Sequence, residues 1–566
     1  YYLFYSRLFY TCDYSIIFYV MNVKNKTFTF DLYWRSCVIF VWPLAVRCSY
    51  VILIMAVYWV TECIPMAITA LIPTVLFPCF GILDSREVSA CYMNDTIMVF
   101  IGGLVLAIAV EHSNLHMRLA LAVMRIVGCS HTRLLGGLCT VTTFISMWIS
   151  NTAATAMMIP IIFAILKELE KKKTRFCRSP IPFPIQYYLN EPDPEDPEES
   201  PTKVTKAYLL ATAYCATFGG TGTLVGTGTN LTFKGIYEAT FPDAPGITFT
   251  KWVTWAFVPM VLNSFLTWLY VQLFYLGMLR PKSRAARAAS IGPHGEDIAS
   301  QVMREKYQNL GPMSFHECGV GLLFTLCVFL AKNPLSRLTV GLQLNPIKST
   351  DSQVKDSAPV LLVTVLMFCI PKDPSFIYSC SKNGRQLTGL ITWKVINTQM
   401  PWSLMFLLGG GFAISKGSDY SCLSKRIGES LVPLKDLPPI VILFVICLFI
   451  GTVTEFTSNI GIANIILPVV AQMCIAIEQH PMYLMLPATF MCSYAFRLPV
   501  GTPPNAIAAG IGHISVKSLI SGGCIPAIYS LVTLVALFPT WGVYVYNISE
   551  FPEWARNISS TANTRC

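Results

Sequence analysis

The stretch that decides the fold occurs twice. Ser150-Asn151-Thr152-Ala153-Ala154 runs on to Pro160, and Ser458-Asn459-Ile460-Gly461-Ile462 runs on to Pro468. The Ser-Asn pairs and the prolines are both 308 residues apart. Upstream, Gly102-Gly103 precedes Leu115, Arg118 and Leu119, and Gly410-Gly411 precedes Leu423, Arg426 and Ile427 at the same offset. Downstream, Gly226-Thr227-Gly228-Thr229-Asn230 and Gly501-Thr502-Pro503-Pro504-Asn505 share the pattern G-T-x-x-N at an offset of 275. The difference of 33 is close to the length of a polar insert, Lys167–Lys206, that only the first half contains. Three motifs in one order, reconciled by one insertion, point to an internal duplication.

The surroundings of the repeat are those of a membrane protein. Hydrophobic residues make up 54% and charged residues 13% of 566, against roughly 25% charged in soluble domains. The mean hydropathy is +0.55. These values argue against a soluble enzyme, a disordered scaffold and a nucleic-acid binder. A spanning helix needs about 20 apolar residues. Runs at Val51–Ile82 (two helices around Glu62 and Pro65), Met98–Val110, Trp252–Leu279, Val320–Leu330, Val360–Ile370, Ile440–Val453, Tyr483–Val500 and Ile525–Val545 predict about 11 spans plus re-entrant pieces. The cysteines inside such runs (Cys63, Cys79, Cys215, Cys369, Cys447, Cys492) read as small buried hydrophobes. No phosphate loop GxxxxGK[ST] is present, which argues against an ATP-driven pump.

Charge sets the expected topology. Lys171, Lys172, Lys173, Arg175 and Arg178 lie in the first insert, before an acidic, proline-rich segment, Asn190–Pro201, expected to be disordered. Arg280, Lys282, Arg284, Arg287, Arg304 and Lys306 lie in a second polar segment. Both are expected on the cytoplasmic face, so the net charge of +10 mainly reports topology. The sequons at Asn547 and Asn557 predict a glycosylated, extracytoplasmic C-terminus; the sequon at Asn230 reads as chance. The chain opens at Tyr1, its first methionine is Met21, and Cys37–Val46 is too short to span. The first span is therefore expected to borrow upstream residues or to be incomplete.

Asn, Thr and Gly at mid-membrane break helices and leave backbone groups unpaired, which is tolerated where they line a cavity. Broken helices of two repeats meeting near the midplane form transporter sites. Helix N-termini there attract anions, and carbonyl, hydroxyl and amide oxygens suit a hard cation. The elements in place for this are hairpin tips at Ser150–Thr152 and Ser458–Ile460 and breaks at Gly226–Asn230 and Gly501–Asn505. Arg497, five residues before Thr502, is a candidate source of positive potential, or else it snorkels to the surface or pairs with a carboxylate; Glu455 is read as structural.

The runs Ser146-Met-Trp-Ile-Ser-Asn-Thr-Ala-Ala154, Phe218-Gly-Gly-Thr-Gly-Thr-Leu-Val-Gly-Thr-Gly-Thr-Asn-Leu231, Leu408-Gly-Gly-Gly-Phe-Ala413 and Leu498-Pro-Val-Gly-Thr-Pro-Pro-Asn-Ala506 resemble the divalent-anion:sodium symporters. Within these, Gly-Thr-Gly-Thr-Asn-Leu-Thr-Phe-Lys-Gly (226–235) and Arg280-Pro-Lys-Ser283 are most similar to the insect citrate-transporter branch. The resemblance implies an all-α polytopic membrane protein, a homodimer of 11-span protomers. Each would have a scaffold and an elevator-type transport domain, the latter carrying two inverted repeats with a re-entrant hairpin and a broken helix apiece. It implies substrate contacts at Asn151, Thr152, Thr227, Ser458, Asn459 and Thr502. One sodium site would use Ser146, Ser150, Asn151 and Gly226, and a second Thr454, Thr457, Asn459 and Gly501. This sequence departs from the family pattern at Ile460, which has no hydroxyl, and at Thr229, where many relatives have proline.

The organisation expected is an N-terminal piece 1–35, scaffold helices 36–94, and repeat 1 at 95–279. Repeat 1 holds the hairpin 133–166, the insert 167–206 and the broken helix 207–235. A cytoplasmic linker 280–310, scaffold helices 311–402, repeat 2 at 403–545 and an extracytoplasmic tail 546–566 follow. The function expected is secondary active transport of citrate, succinate and related carboxylates across the plasma membrane, with no cofactor other than sodium as coupling ion. The partners are small carboxylates, the bilayer and a second protomer, with no nucleic acid and no catalysis. The alternatives are a sulfate or other inorganic-oxyanion transporter of the same fold, or an anion channel.

Overall fold

A computed structural model describes residues 42–61, 63–127, 131–176, 203–276, 301, 304–305, 307–332, 357–373, 388–499, 501–548 and 550–556. The described residues are helical, with one isolated bridge between Pro371 and Gly389 and no named strand. Backbone groups in hydrocarbon must find partners inside their own segment, and the helix supplies them. Among the described residues five helices are long and apolar enough to cross a membrane: Leu44–Thr61, Ser85–His112, Phe249–Phe274, Asn459–Ala476 and Val516–Tyr546. Shorter apolar helices occupy Met66–Cys79, Asn151–Ile162, Phe315–Leu330, Ser357–Cys369 and Pro439–Val453.

In chain order the elements are α1 (Leu44–Thr61), α2 (Met66–Thr69), α3 (Ile72–Cys79), α4 (Ser85–Cys91), α5 (Asp95–His112), α6 (Leu115–Val127), α7 (His131–Ser146), α8 (Asn151–Phe176), α9 (Lys203–Gly220), α10 (Gly228–Thr240), α11 (Phe249–Phe274), α12 (Phe315–Lys332), α13 (Ser357–Cys369), α14 (Trp393–Gln399), α15 (Trp402–Tyr420), α16 (Leu423–Leu431), α17 (Pro439–Val453), α18 (Asn459–Ala476), α19 (Pro481–Ser493), α20 (Pro503–Ile511) and α21 (Val516–Leu537). Among the described residues the first apolar helix begins at Leu44, within the run Cys37–Val46. Glu62 is outside the described residues.

Helices α5–α11 and α15–α21 correspond one to one. Leu115 and Leu423, His131 and Pro439, and Asn151 and Asn459 open paired helices 308 apart, and Gly228 and Pro503 open a pair 275 apart. Even the elbows match. Asn114 (φ 60°) and Cys422 (φ 61°) occupy the left-handed region between a long helix and the arm that follows it. The insert separates into two parts: Lys167–Phe176 continues α8 as helix, and residues 177–202 lie outside the description.

The repeats interlock. α10 packs on α18 and α15 of the second half, and α20 packs on α8 and α9 of the first. The arm α6 is fastened to α12 by a buried ion pair, Arg118 to Glu317 at 3.1 Å, and Arg118 also donates to the carbonyls of Leu310, Gly311 and Pro312. Glu317 in turn receives the Ser314 N–H while the Ser314 hydroxyl receives that of Glu317, a reciprocal N-terminal cap. The outer face of α17 is largely apolar: Ile440, Val441, Phe444, Val445, Leu448 and Phe449 are all exposed, and the exposed Thr452 hydroxyl donates back to the Leu448 carbonyl. Of the six cysteines read as buried, Cys215, Cys447 and Cys492 are buried, Cys63 is intermediate, and Cys79 and Cys369 are exposed. An outward-facing thiol in a membrane meets hydrocarbon, which a weakly polar sulfur tolerates.

Candidate functional site

The site is built at two hairpin tips and two helix breaks. α7 ends at Ser146 and α8 restarts at Asn151, where the Ser150 hydroxyl accepts the Ala153 N–H at 3.3 Å. α17 ends at Val453 and α18 restarts at Asn459, where the Ser458 hydroxyl accepts the Gly461 N–H at 3.4 Å. Both serines are N-caps, residues that satisfy one of the donors a helix start leaves free. Ser150 is exposed and Ser458 half-buried.

Each tip docks on the first half of its own broken helix. The Ser146 hydroxyl faces Asn151 Oδ1 at 2.9 Å and the Ala216 carbonyl on α9 at 2.7 Å. Thr454 repeats this, at 3.0 Å from Asn459 Oδ1 and 2.6 Å from the Cys492 carbonyl on α19. Asn459 Nδ2 reaches the Ser493 carbonyl at 3.5 Å; turned over, the same amide would donate to Gly501 O at 3.2 Å and Cys492 O at 3.1 Å. In either orientation it bridges tip and break.

The breaks are stapled by the asparagine that ends each G-T-x-x-N motif. Asn230 Nδ2 donates to Gly220 O at 3.1 Å and Thr223 O at 2.7 Å; Asn505 Nδ2 donates to Ala495 O at 3.0 Å and Leu498 O at 3.2 Å. Both Oδ1 atoms are buried with no hydrogen-bond partner. Thr227 and Thr502 sit at the N-cap positions of α10 and α20 without capping them through their side chains. A Cβ on Gly226 would fall 2.4 Å from Gly220 O and 3.0 Å from Met147 O, and one on Gly501 would lie 3.2 Å from Glu455 O. Each break therefore presses against a hairpin tip.

Not every expected residue converges. The Thr457 hydroxyl points to the Trp59 carbonyl of α1 at 3.4 Å, and Thr152 is exposed on the first turn of α8. Arg497 is taken up locally. Its Nε donates to Glu455 Oε1 at 3.1 Å and its guanidinium also donates to Gly451 O at 2.9 Å. Glu455, 1% exposed, receives the backbone N–H groups of Phe496, Arg497 and Leu498 as well. The charge of Arg497 is thus matched by a buried carboxylate, which bolts hairpin 2 to the second break. The first repeat has Met147 at the position of Glu455 and no such bolt.

The two halves of the site meet where α10, the second half of the first broken helix, packs on α18 and α19 of the second repeat. Gly228 and Ile460, near the N-termini of α10 and α18, are in contact. The Thr229 and Ser493 hydroxyls are 2.5 Å apart, and Thr221 and Tyr494 hydroxyls 3.4 Å. Phe218 packs edge-on against Tyr494 at 5.0 Å and beside Phe496 at 5.0 Å, closing an aromatic floor beneath the breaks.

Residues 39–548 match the family model described as the sodium:sulfate symporter transmembrane region. The chain belongs to the sodium:sulfate symporter family. It is therefore a multi-pass membrane transporter by family. The Drosophila melanogaster protein I'm not dead yet is 43% identical over 95% of this chain and 94% of its own. The Mus musculus Na(+)/citrate cotransporter is 38% identical over 91% and 93%, and the Mus musculus Na(+)/dicarboxylate cotransporter 3 is 36% identical over 91% and 91%. Among solved structures, the Alcanivorax borkumensis YdaH transporter aligns over 81% of this chain and 89% of its own with a TM-score of 0.50. At 12% identity it speaks for the fold alone. The sequence of this sodium:sulfate symporter family member gave no sign of the carbonyls of Ala216 and Cys492, which belong to unmarked helix positions. Asn230 and Asn505 were readable from the repeat motif, and Thr229 from its departure.

Proposed function

We propose that this protein carries di- and tricarboxylates such as citrate and succinate across the plasma membrane, driven by sodium. One observation carries the anion part: two helix N-termini, those of α10 and α18, begin in contact at Gly228 and Ile460. Their N–H groups present positive potential to an anion. The citrate and dicarboxylate cotransporters among the relatives favour a carboxylate; the family's sulfate symporters favour sulfate as second reading.

Substrate carboxylates would meet Asn151, Thr152, Thr227, Ser458, Asn459 and Thr502. The donor sets of Ser146, Ser150, Asn151 and Gly226, and of Thr454, Asn459 and Gly501, are neutral oxygens, which fit a hard monovalent cation. Thr457 would serve such a set through its backbone, since its hydroxyl is held by α1. Sodium would supply local positive charge. The chain's own contribution is to hold each asparagine between its hairpin tip and its break, so cation and anion read the same geometry. Homodimerisation, 11 spans and elevator-type movement of the hairpins complete this reading. An extracytoplasmic C-terminus is supported by Asn547, exposed at a helix end; Asn557 lies outside the described residues.

The test is labelled citrate uptake into proteoliposomes with and without a sodium gradient. Succinate competing more strongly than sulfate supports the carboxylate reading, and the reverse overturns it. Uptake without accelerated exchange marks a channel. Asn151→Ala and Asn459→Ala should each abolish uptake at normal surface expression; near-normal rates in both would remove the site assignment.

A further inference from the structure

Ile460 stands where the first repeat has the hydroxyl of Thr152, and its side chain does something a hydroxyl could not. A Cβ built on Gly228 would lie 2.4 Å from Ile460 Cδ1 and 3.1 Å from Cγ1. The isoleucine thus fills the hollow left by a glycine at the first residue of α10. A second hollow lies seven residues on, two turns along the same face, where Gly235 receives the Phe412 ring of α15 at 2.0 Å from its virtual Cβ. Two knobs from repeat 2 therefore seat α10, one at the site and one remote from it. In a membrane, such close packing of small residues is what holds helices together.

We infer that Ile460 is a positioning residue: lodged against Gly228, it fixes the spacing of the α10 and α18 N-termini and so sets the affinity for the transported anion. A methyl added at Gly228 would overlap the end of the Ile460 side chain, so either that side chain turns away or the hairpin tip moves off α10, and in both cases the lodged contact is lost. The hydroxyl missing at residue 460 is, on this view, exchanged for a mechanical contact. The inference rests on the carboxylate-transport reading.

The experiment is citrate uptake kinetics per surface-expressed transporter. Gly228→Ala should raise KM about ten- to a hundredfold while the maximal rate falls far less. Gly228→Ala/Ile460→Val, which removes the clashing Cδ1, should recover most of that loss. Gly235→Ala, strained at the remote knob, should lower the amount of folded protein without moving KM. Ile460→Ala removes the knob without overpacking and keeps the question answerable if Gly228→Ala fails to fold; its KM should also rise. A double variant no better than Gly228→Ala, or an unchanged KM in Ile460→Ala, overturns the inference. Wild-type protein that moves no carboxylate overturns instead the transport reading beneath it.

Discussion

Arg497 shows how a single residue changes meaning once its neighbours are known. In the sequence it is a lone positive charge near Thr502, compatible with attracting an anion or with pairing to a carboxylate. In the fold it is committed to Glu455 and Gly451 O. Removing the partly exposed Arg497 side chain leaves the buried Glu455 carboxylate to its three backbone donors alone, at about 1–3 kcal/mol. Arg497→Met should therefore lower thermal stability strongly, and Glu455→Gln added to it should restore part of the loss. Scanning fluorimetry of the purified variants decides this, with an unchanged Tm in the single variant as the contrary result. Glu455 was visible as an intramembrane carboxylate, but its three backbone donors come from a break 41 to 43 residues away. No local pattern encodes that distance. Asn151 and Asn459 were legible for the opposite reason: a polar amide amid apolar residues needs an explanation on the sequence line itself.

At the scale of elements, the paired hairpins and breaks were legible because duplication wrote each of them twice. What duplication hides is where the copies differ. Gly220 and Ala495 are counterparts, yet a Cβ at Gly220 would fall 2.1 Å from Asn151 Oδ1. Gly220→Ala should displace Asn151 and abolish uptake, whereas Ala495→Gly should cost only about 0.5–1 kcal/mol of stability and keep uptake; the paired rates test the asymmetry. The turn into α19 offers a pH readout. His480 Nδ1 accepts the Met482 N–H at 3.2 Å, and burial pushes its pKa from 6.5 down to about 4. The unfolded chain then binds a proton between pH 6.5 and about 4 that the folded one refuses, so stability falls as pH drops through that window, by roughly 1–2 kcal/mol. His480→Asn, which still can cap the helix, should flatten that part of a Tm-against-pH curve.

For the whole molecule, the question is what makes two repeats one machine. The Thr229–Ser493 contact is a direct polar tie between them, buried at 2.5 Å. Thr229→Ala should cost about 1–2 kcal/mol, and a double-mutant cycle with Ser493→Ala should give a coupling of similar size; strictly additive losses would show that the tie carries nothing. Overall architecture was legible as helices, repeats and polar inserts, since apolar run lengths are written in composition. The helical start of the insert was missed because its lysines mask a continuing helix. The oily outer face of α17 bears on motion. If hairpin 2 moves as the proposed elevator reading has it, the movement would exchange one hydrocarbon neighbour for another along Phe444, Leu448 and Phe449, so solvation would offer it almost no resistance. Its speed would then be governed by friction, and acyl-chain fluidity, more than ionic strength, should pace the cycle.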